Sequence, residues 1–282
     1  MPNHPALAAN RVAVITGAAS GIGLAASAKC AALGMRVCMA DANGAALESA
    51  AAKVRAAAAS PDAVRSFTVD VSNLDDVRRL KASAFDAFGE VALLMNNAGT
   101  GGGGELFSDP ERFRRIIDVN LMGVVNGVQA FAPDMIAQGT DAAIVNTGSK
   151  EGITCPPGDT AYNVSKAGVK VATEALAHEL RNIEGCRVSA HLLIPGFTFT
   201  GMTGGSRTEK PSAAWTPDQV VDFMLDSMGK GDFYILCPDN DVPREMDERR
   251  ILWAAGDIVE NRPPLSRWHA AYRDAFAKFA KG

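Results

Sequence analysis

Short continuous apolar runs alternate along the chain with segments of helical length. RVAVIT (11–16), RVCMAD (36–41), VRSFTVD (64–70), VALLMNN (91–97), DAAIVNTGS (141–149), RVSAHLLIP (187–195) and DFYILCP (232–238) read as strands. Several are too continuously apolar to leave a wet face, which is the habit of a parallel sheet covered on both sides. Between them lie GIGLAASAKCAALG (21–34), the Ala-rich NGAALESAAAKVRAAAAS (43–60), NLDDVRRLKASAFDAFG (73–89), the long segment 109–139 and AYNVSKAGVKVATEALAHELRNIEG (161–185). Strand and helix in strict alternation predict an α/β fold, a doubly wound parallel sheet of Rossmann type. The Ala-rich stretch resembles low complexity, but its Leu47 and Val54, set among Glu48, Lys53 and Arg55, suit an ordinary surface helix.

The sheet pattern ends after Pro238, where a charged, Trp-containing tail begins. The expected organisation is a single dinucleotide-binding and catalytic domain over 1–238 with a helical C-terminal extension over 239–282. At 282 residues and 47% hydrophobic, the chain is long enough for one large core. A net charge of −4 with no run of Lys and Arg argues against a nucleic-acid partner. Apolar stretches break well short of a membrane span and the first residues lack the pattern of a leader, so the expectation is a soluble cytoplasmic protein. The five cysteines, Cys30, Cys38, Cys155, Cys186 and Cys237, never form a CxxC and read as reduced thiols. The four histidines are scattered, so no metal site is expected.

Two stretches carry chemistry. After the first strand, TGAASGIG (16–23) offers Gly17 for a tight turn, Gly21 for close approach of a pyrophosphate, and Gly23 for packing helix on strand. Ser20, Gly21, Ile22 and Gly23 then open a helix whose free N–H groups and partial positive charge suit phosphates. The next strand ends at Asp41, 18 residues after Gly23. A carboxylate there can accept both ribose hydroxyls of an adenosine and repels the 2′-phosphate of NADP; it can equally begin a turn. No Arg or Lys adjoins Asp41 or lies within Ala18 to Ser20, so NAD is the expected cofactor.

The second stretch runs from the fifth strand into a helix and contains Ser149, Tyr162 and Lys166. Oxidising an alcohol needs a base, and a tyrosine of pKa about 10 is a poor one at neutral pH. Lys166 is one helical turn from Tyr162, so its ammonium can favour the phenolate and reach a ribose, while Ser149 can donate to the substrate oxygen.

TGxxxGxG at 16–23, NNAG at 96–99, Asn120 in DVNLMG, Ser149, the YxxxK pair Tyr162 and Lys166, and PG at 195–196 together resemble the short-chain dehydrogenases/reductases, over roughly residues 10–237. The resemblance implies an oxidoreductase in which Asn120 holds a water linking the lysine to solvent. It also implies that Asp70 and Val71 flank the adenine and that Asn97, Ala98 and Gly99 border the nucleotide. Thr198 and Thr200, following Pro195 and Gly196, would anchor the nicotinamide, and the protein would form a homodimer or homotetramer. The chain departs from the common pattern in Lys150 and Glu151, read as a solvated rim, and in CPDNDV after the last strand.

Segment 197–217 reads as a flexible lid whose Phe197, Phe199, Met202 and Trp215, with Ile153 and Pro156, either enclose an apolar small-molecule substrate or pack the lid on the core. In the tail, Trp268, Tyr272, Phe276 and Phe279 recur at helical spacing after NRPPLS and are expected to pack on their own subunit or on a neighbour. The expected activity is hydride transfer between NAD(H) and an apolar secondary alcohol or ketone. An epimerase or dehydratase could also use a YxxxK pair. A nucleotide-sensing protein could keep the glycine loop but has no need of Ser149, Tyr162 and Lys166 together.

Overall fold

In the computed structural model, which describes residues 4–205 and 207–281, all seven expected strands form one parallel sheet. In chain order the elements begin β1 (Val12–Thr16), α1 (Gly21–Ala32), β2 (Arg36–Asp41), α2 (Gly44–Ala57), β3 (Val64–Thr68), α3 (Leu74–Phe88) and β4 (Leu93–Asn96). They continue α4 (Pro110–Ile117), α5 (Gly123–Ala137), β5 (Ala142–Thr147), α6 (Glu151–Thr154), α7 (Thr160–Arg181), β6 (Val188–Ile194), α8 (Gly201–Gly204), α9 (Pro217–Lys230), β7 (Tyr234–Leu236), α10 (Arg244–Val259) and α11 (Arg273–Phe279).

The strand order β3-β2-β1-β4-β5-β6-β7 reverses direction between β1 and β4, and every pairing is parallel. Such a switch point opens a crevice beyond the carboxyl ends of the strands. Alternation within each strand divides the core in two. Ala13, Ile15, Val37, Met39, Leu93 and Met95 meet α1, α2 and α9, whereas Val12, Val14, Cys38, Leu94 and Ile144 face the opposite layer with Leu80, Phe131 and Leu176. The Ala-rich segment is an ordinary helix that buries Leu47, Ala50, Ala51 and Val54.

Three local features differ from the sequence reading. The long segment 109–139 is not one regular helix: Asp118–Met122 forms a π turn between α4 and α5. The segment after the lid contains α9, started by a capping box of Thr216 and Gln219 with Pro217 at its first turn. The aromatic stripe of the tail divides, because Leu265 adopts φ 57° and short 3₁₀ turns precede α11. Phe276 and Phe279 pack on Trp253 of α10, with ring centroids 5.3 Å away in both cases, while Trp268 stacks under Arg267 at 4.7 Å. Trp253 is fixed further by Arg262 over its ring at 4.0 Å and by donating to Ser266 Oγ at 2.8 Å.

Among the described residues no helix is long and apolar enough to cross a membrane, and no group of His, Cys, Asp and Glu is placed to hold a metal. All five cysteines are free thiols.

Candidate active site

The glycine loop is built by contacts between two chain crossings. Thr16 Oγ1 accepts the N–H groups of Asn97 and Ala98 at 3.0 and 3.1 Å, and the Asn97 side chain donates to the Thr16 carbonyl at 3.1 Å. Gly17 turns at φ 67°. A Cβ on Gly23 would lie 2.2 Å from the Gly17 carbonyl oxygen, so only glycine lets α1 start this close to β1. Ser20 occupies the N-cap of α1 in an extended conformation without capping it by its side chain. The first turn of a 12-residue helix is thereby aimed into a cleft of about 410 Å³.

That cleft is walled at one end by Gly17, Ser20, Gly21, Ile22 and Asp41, and at the other by Ser149, Tyr162, Lys166, Pro195, Gly196, Thr198 and Thr200, with Asn97 and Gly99 between. A side lobe of about 200 Å³ shares Gly17, Asp41 and Gly99 and adds Asp70, Val71 and Ala98. Gly23 and Asn120 stand outside the lining: Gly23 shapes the loop from behind, and Asn120 is fully buried. The sequence reading missed Ala19, Asn43, Ala46, Thr147, Gly148 and Thr203 in the cleft, and Arg115 in the side lobe. Thr147 and Gly148 were legible as the end of the strand preceding Ser149; Arg115 comes from α4 and had no local signal.

Asp41 serves its turn and faces the cleft at once. Its carboxylate accepts Ala19 N–H at 3.1 Å and Asn43 N–H at 2.9 Å while lining both lobes. Asp70 accepts Ser72 N–H and Oγ–H at 3.0 and 2.6 Å and pairs with Arg115 at 3.2 Å. Burial opposes the Asp70 charge, but the Ser72 hydrogen bonds and the Arg115 guanidinium outweigh it and hold the carboxyl below its ordinary range.

At the other end, α7 begins at an N-cap Asp159, whose side chain accepts Tyr162 N–H at 3.3 Å and reaches across to Gly102 N–H at 2.6 Å. Tyr162 and Lys166 therefore fall in the first two turns, on one face. The Lys166 ammonium lies 5.7 Å from the Tyr162 ring centroid and donates to the Thr147 carbonyl at 2.7 Å. Ser149 Oγ accepts Glu151 N–H at 3.1 Å.

Burial pushes Tyr162 up to about 12; the nearby Ser149 hydroxyl opposes that rise, while Glu151 and Asp159 add to it. Burial also pushes Lys166 down to about 8. The expectation that Lys166 lowers the tyrosine pKa is thus not met in the free protein, where its ammonium is engaged with a carbonyl and desolvation of the phenolate dominates. At neutral pH the pair is a neutral phenol beside an ammonium, an arrangement suited to giving a proton to an oxygen placed between Ser149 and Tyr162.

Asn120 sits in the π turn. Its Oδ1 accepts Thr100 N–H at 2.7 Å, and its Nδ2 donates to the Thr100 carbonyl at 2.8 Å and to Ser165 Oγ at 3.1 Å. The extra residue of a π turn rotates this amide away from the regular helix face, so that it ties the loop after NNAG to α7.

Of the residues expected to enclose substrate, only Met202 lines the cleft. Trp215 packs against Phe223 at 5.9 Å and the core, Phe199 lies against Gly204, and Ile153 faces α10 with Ile251. Lys150 is not a solvated rim residue: its side chain is 15% exposed and pairs with Asp239 and Asp247.

The family model for short chain dehydrogenases matches residues 11–211. A 1-deoxy-11-beta-hydroxypentalenate dehydrogenase of Streptomyces arenae is 33% identical over 265 residues, covering 92% of this chain and 93% of that protein. Among solved structures, a short chain dehydrogenase/reductase from Burkholderia phymatum in complex with NAD superposes with a TM-score of 0.82 at 35% identity, covering 91% of this chain and 96% of that one. A metagenomic short-chain oxidoreductase in complex with NADP gives 0.67 at 28% identity, covering 82% and 98%.

Proposed function

Since the chain belongs to the short chain dehydrogenase family of oxidoreductases, we propose that it transfers hydride between NAD(H) and an apolar secondary alcohol or its ketone. The observation that carries this reading is the convergence of Ser149, Tyr162 and Lys166 on one end of a cleft whose other end is closed by the glycine loop and Asp41. The residues fit a dinucleotide: a helix start stripped of side-chain capping, a glycine that a Cβ would block, and a carboxylate at the end of β2.

Gly17, Ser20, Gly21, Ile22 and Gly23 would hold the pyrophosphate, Asp41 the adenosine ribose, and Asp70, Val71, Asn97, Ala98 and Gly99 the adenine side. Pro195, Gly196, Thr198 and Thr200 would hold the nicotinamide, and Lys166 the second ribose. Bound there, the nicotinamide ring supplies the hydride acceptor or donor. Tyr162 holds the mobile proton on its phenol oxygen, giving it to a ketone or, as phenolate, taking it from an alcohol. Ser149 orients the substrate oxygen, and Asn120 keeps the loop at Thr100 and the start of α7 in register.

NAD in preference to NADP rests on Asp41, whose charge disfavours a 2′-phosphate. An apolar contact to substrate rests on Met202 in the cleft wall, and an alcohol as the reacting group on the Streptomyces relative, a dehydrogenase of a hydroxypentalenate. The protein works in the cytoplasm as a homodimer or homotetramer. The test is the absorbance of NADH over a panel of secondary alcohols and ketones. A stoichiometric rise with alcohol supports hydride transfer to NAD, whereas turnover of substrate with no net NADH would indicate an epimerase or dehydratase.

A further inference from the structure

Lys150 follows Ser149 directly, yet its side chain runs away from the cleft into a joint between four chain segments. Its ammonium lies 3.2 Å from Asp239 Oδ2, in the turn after β7, and 2.5 Å from Asp247 Oδ2, on α10. Both carboxylates are nearly sealed, with side chains 7% and 5% exposed, so one buried cation is shared by two buried anions. Arg250, 3.8 Å from Asp247 Oδ1, is the further cation at this joint.

The same groups grip the main chain of the cleft. Lys150 N–H donates to the Pro195 carbonyl at 3.3 Å, and Asp239 Oδ2 accepts Phe197 N–H at 3.3 Å. A Cβ on Gly196 would lie 2.6 Å from Asp239 Oδ2 and 2.8 Å from Lys150 Nζ, so the ion pair lies directly against the backbone between Pro195 and Thr198. Asp239 Oδ1 meanwhile accepts Val242 N–H at 2.8 Å, fixing the chain where it leaves the sheet for α10.

We propose that Lys150 is a positioning residue through which Asp239 and Asp247 of the C-terminal segment set the spacing between Ser149 and the Gly196–Thr198 strip, a role that rests on the oxidoreductase reading of the cleft. Buried ion pairs add little net stability compared with apolar replacements, so stability alone is a poor reason for one here. What this one supplies is registration: two loops that approach a substrate oxygen and a nicotinamide from different strands are held to a single point. Displacement of reacting groups by about 1 Å costs about 10²-fold in rate.

The test uses Asp247→Asn, which removes one anion without changing shape, with Asp257→Asn as comparator. Asp257 pairs with Arg262 at 3.0 Å within the C-terminal segment and does not touch Lys150. In Asp247→Asn, kcat for ketone reduction should fall about 10- to 100-fold. Its affinity for ADP by calorimetry should stay as in the parent protein. Hydrogen exchange in the free protein should speed up at residues 149–152 and 196–199. Asp257→Asn should lower the melting temperature with neither change. If Asp247→Asn only lowers the melting temperature, leaving kcat and both exchange signals as in the parent, Lys150 is merely structural and the proposal falls. Should Asp247→Asn not fold, Lys150→Arg keeps the charge but moves the donor; a kcat equal to the parent's would overturn the proposal and a loss would support it. If the parent protein reduces no ketone, the oxidoreductase reading fails, while the exchange measurement still decides whether Lys150 positions the two loops.

Discussion

At the residue scale the proposed chemistry turns on one phenol. With Tyr162 pushed up to about 12, the free protein holds it protonated throughout the neutral range, and its phenolate fraction grows tenfold per pH unit. Alcohol oxidation should therefore accelerate with pH up to about 8; above it, loss of the Lys166 ammonium, pushed down to about 8, should blunt that gain and lower ketone reduction. Parallel pH profiles in the two directions check the sign. Tyr162→Phe should fold, retain NADH binding by fluorescence, and lose about 10²- to 10⁴-fold in kcat. Near-parent turnover in that variant would remove Tyr162 from the mechanism. Lys166→Ala should instead damage both ends of the kinetics, raising KM for NAD and lowering kcat, because the proposed role gives one ammonium both a ribose and the phenol; unchanged values for both would leave it a core residue held by Thr147. For Asp41, replacement by Ser removes charge-assisted hydrogen bonds of about 1.5–3 kcal/mol, so the NAD-over-NADP ratio of kcat/KM should drop about tenfold or more. Adding Ala42→Arg should push the ratio further toward NADP. A ratio that neither change moves would reduce Asp41 to the turn residue its contacts with Ala19 and Asn43 already make it.

At the scale of elements, the π turn of Asp118–Met122 is the feature that no periodicity predicted. Apolar spacing across 109–139 suits one continuous helix, and a single extra residue in one turn leaves that spacing almost intact. The turn matters because it delivers Asn120 to Thr100 and Ser165. Asn120→Ala should leave the Thr100 N–H and carbonyl without their side-chain partner at a partly buried site, costing about 1 kcal/mol of stability and lowering kcat as well. Denaturant melts and kinetics on the same preparation read both. α9 differs: its TPDQ start carries a complete capping signal, but the lid before it has no period to lead into a helix.

At the scale of the molecule, α7 turns Val164 and Val171 outward, 46% and 62% exposed. If this face joins subunits of the proposed dimer or tetramer, Val171→Glu should lower the mass measured by light scattering while leaving the fold intact. The sequence by itself determined the alternation of seven strands with helices. Burial on both sides of a parallel sheet writes continuous apolar runs, and glycine, tyrosine and lysine at fixed spacings mark a family. Tertiary structure alone decided what distant segments do to one another. It brought Arg115 from α4 onto Asp70 in the side lobe of the cleft, although no cation adjoins Asp41 in sequence. It turned Trp215 and Ile153 away from the cleft and left Met202 there. It also sank Lys150 between Asp239 and Asp247, although a Lys-Glu pair after a strand reads as solvated. Periodicity reports only which face of an element avoids water, whereas the partner of a buried charge is set by loops meeting across the sheet from positions nearly a hundred residues apart.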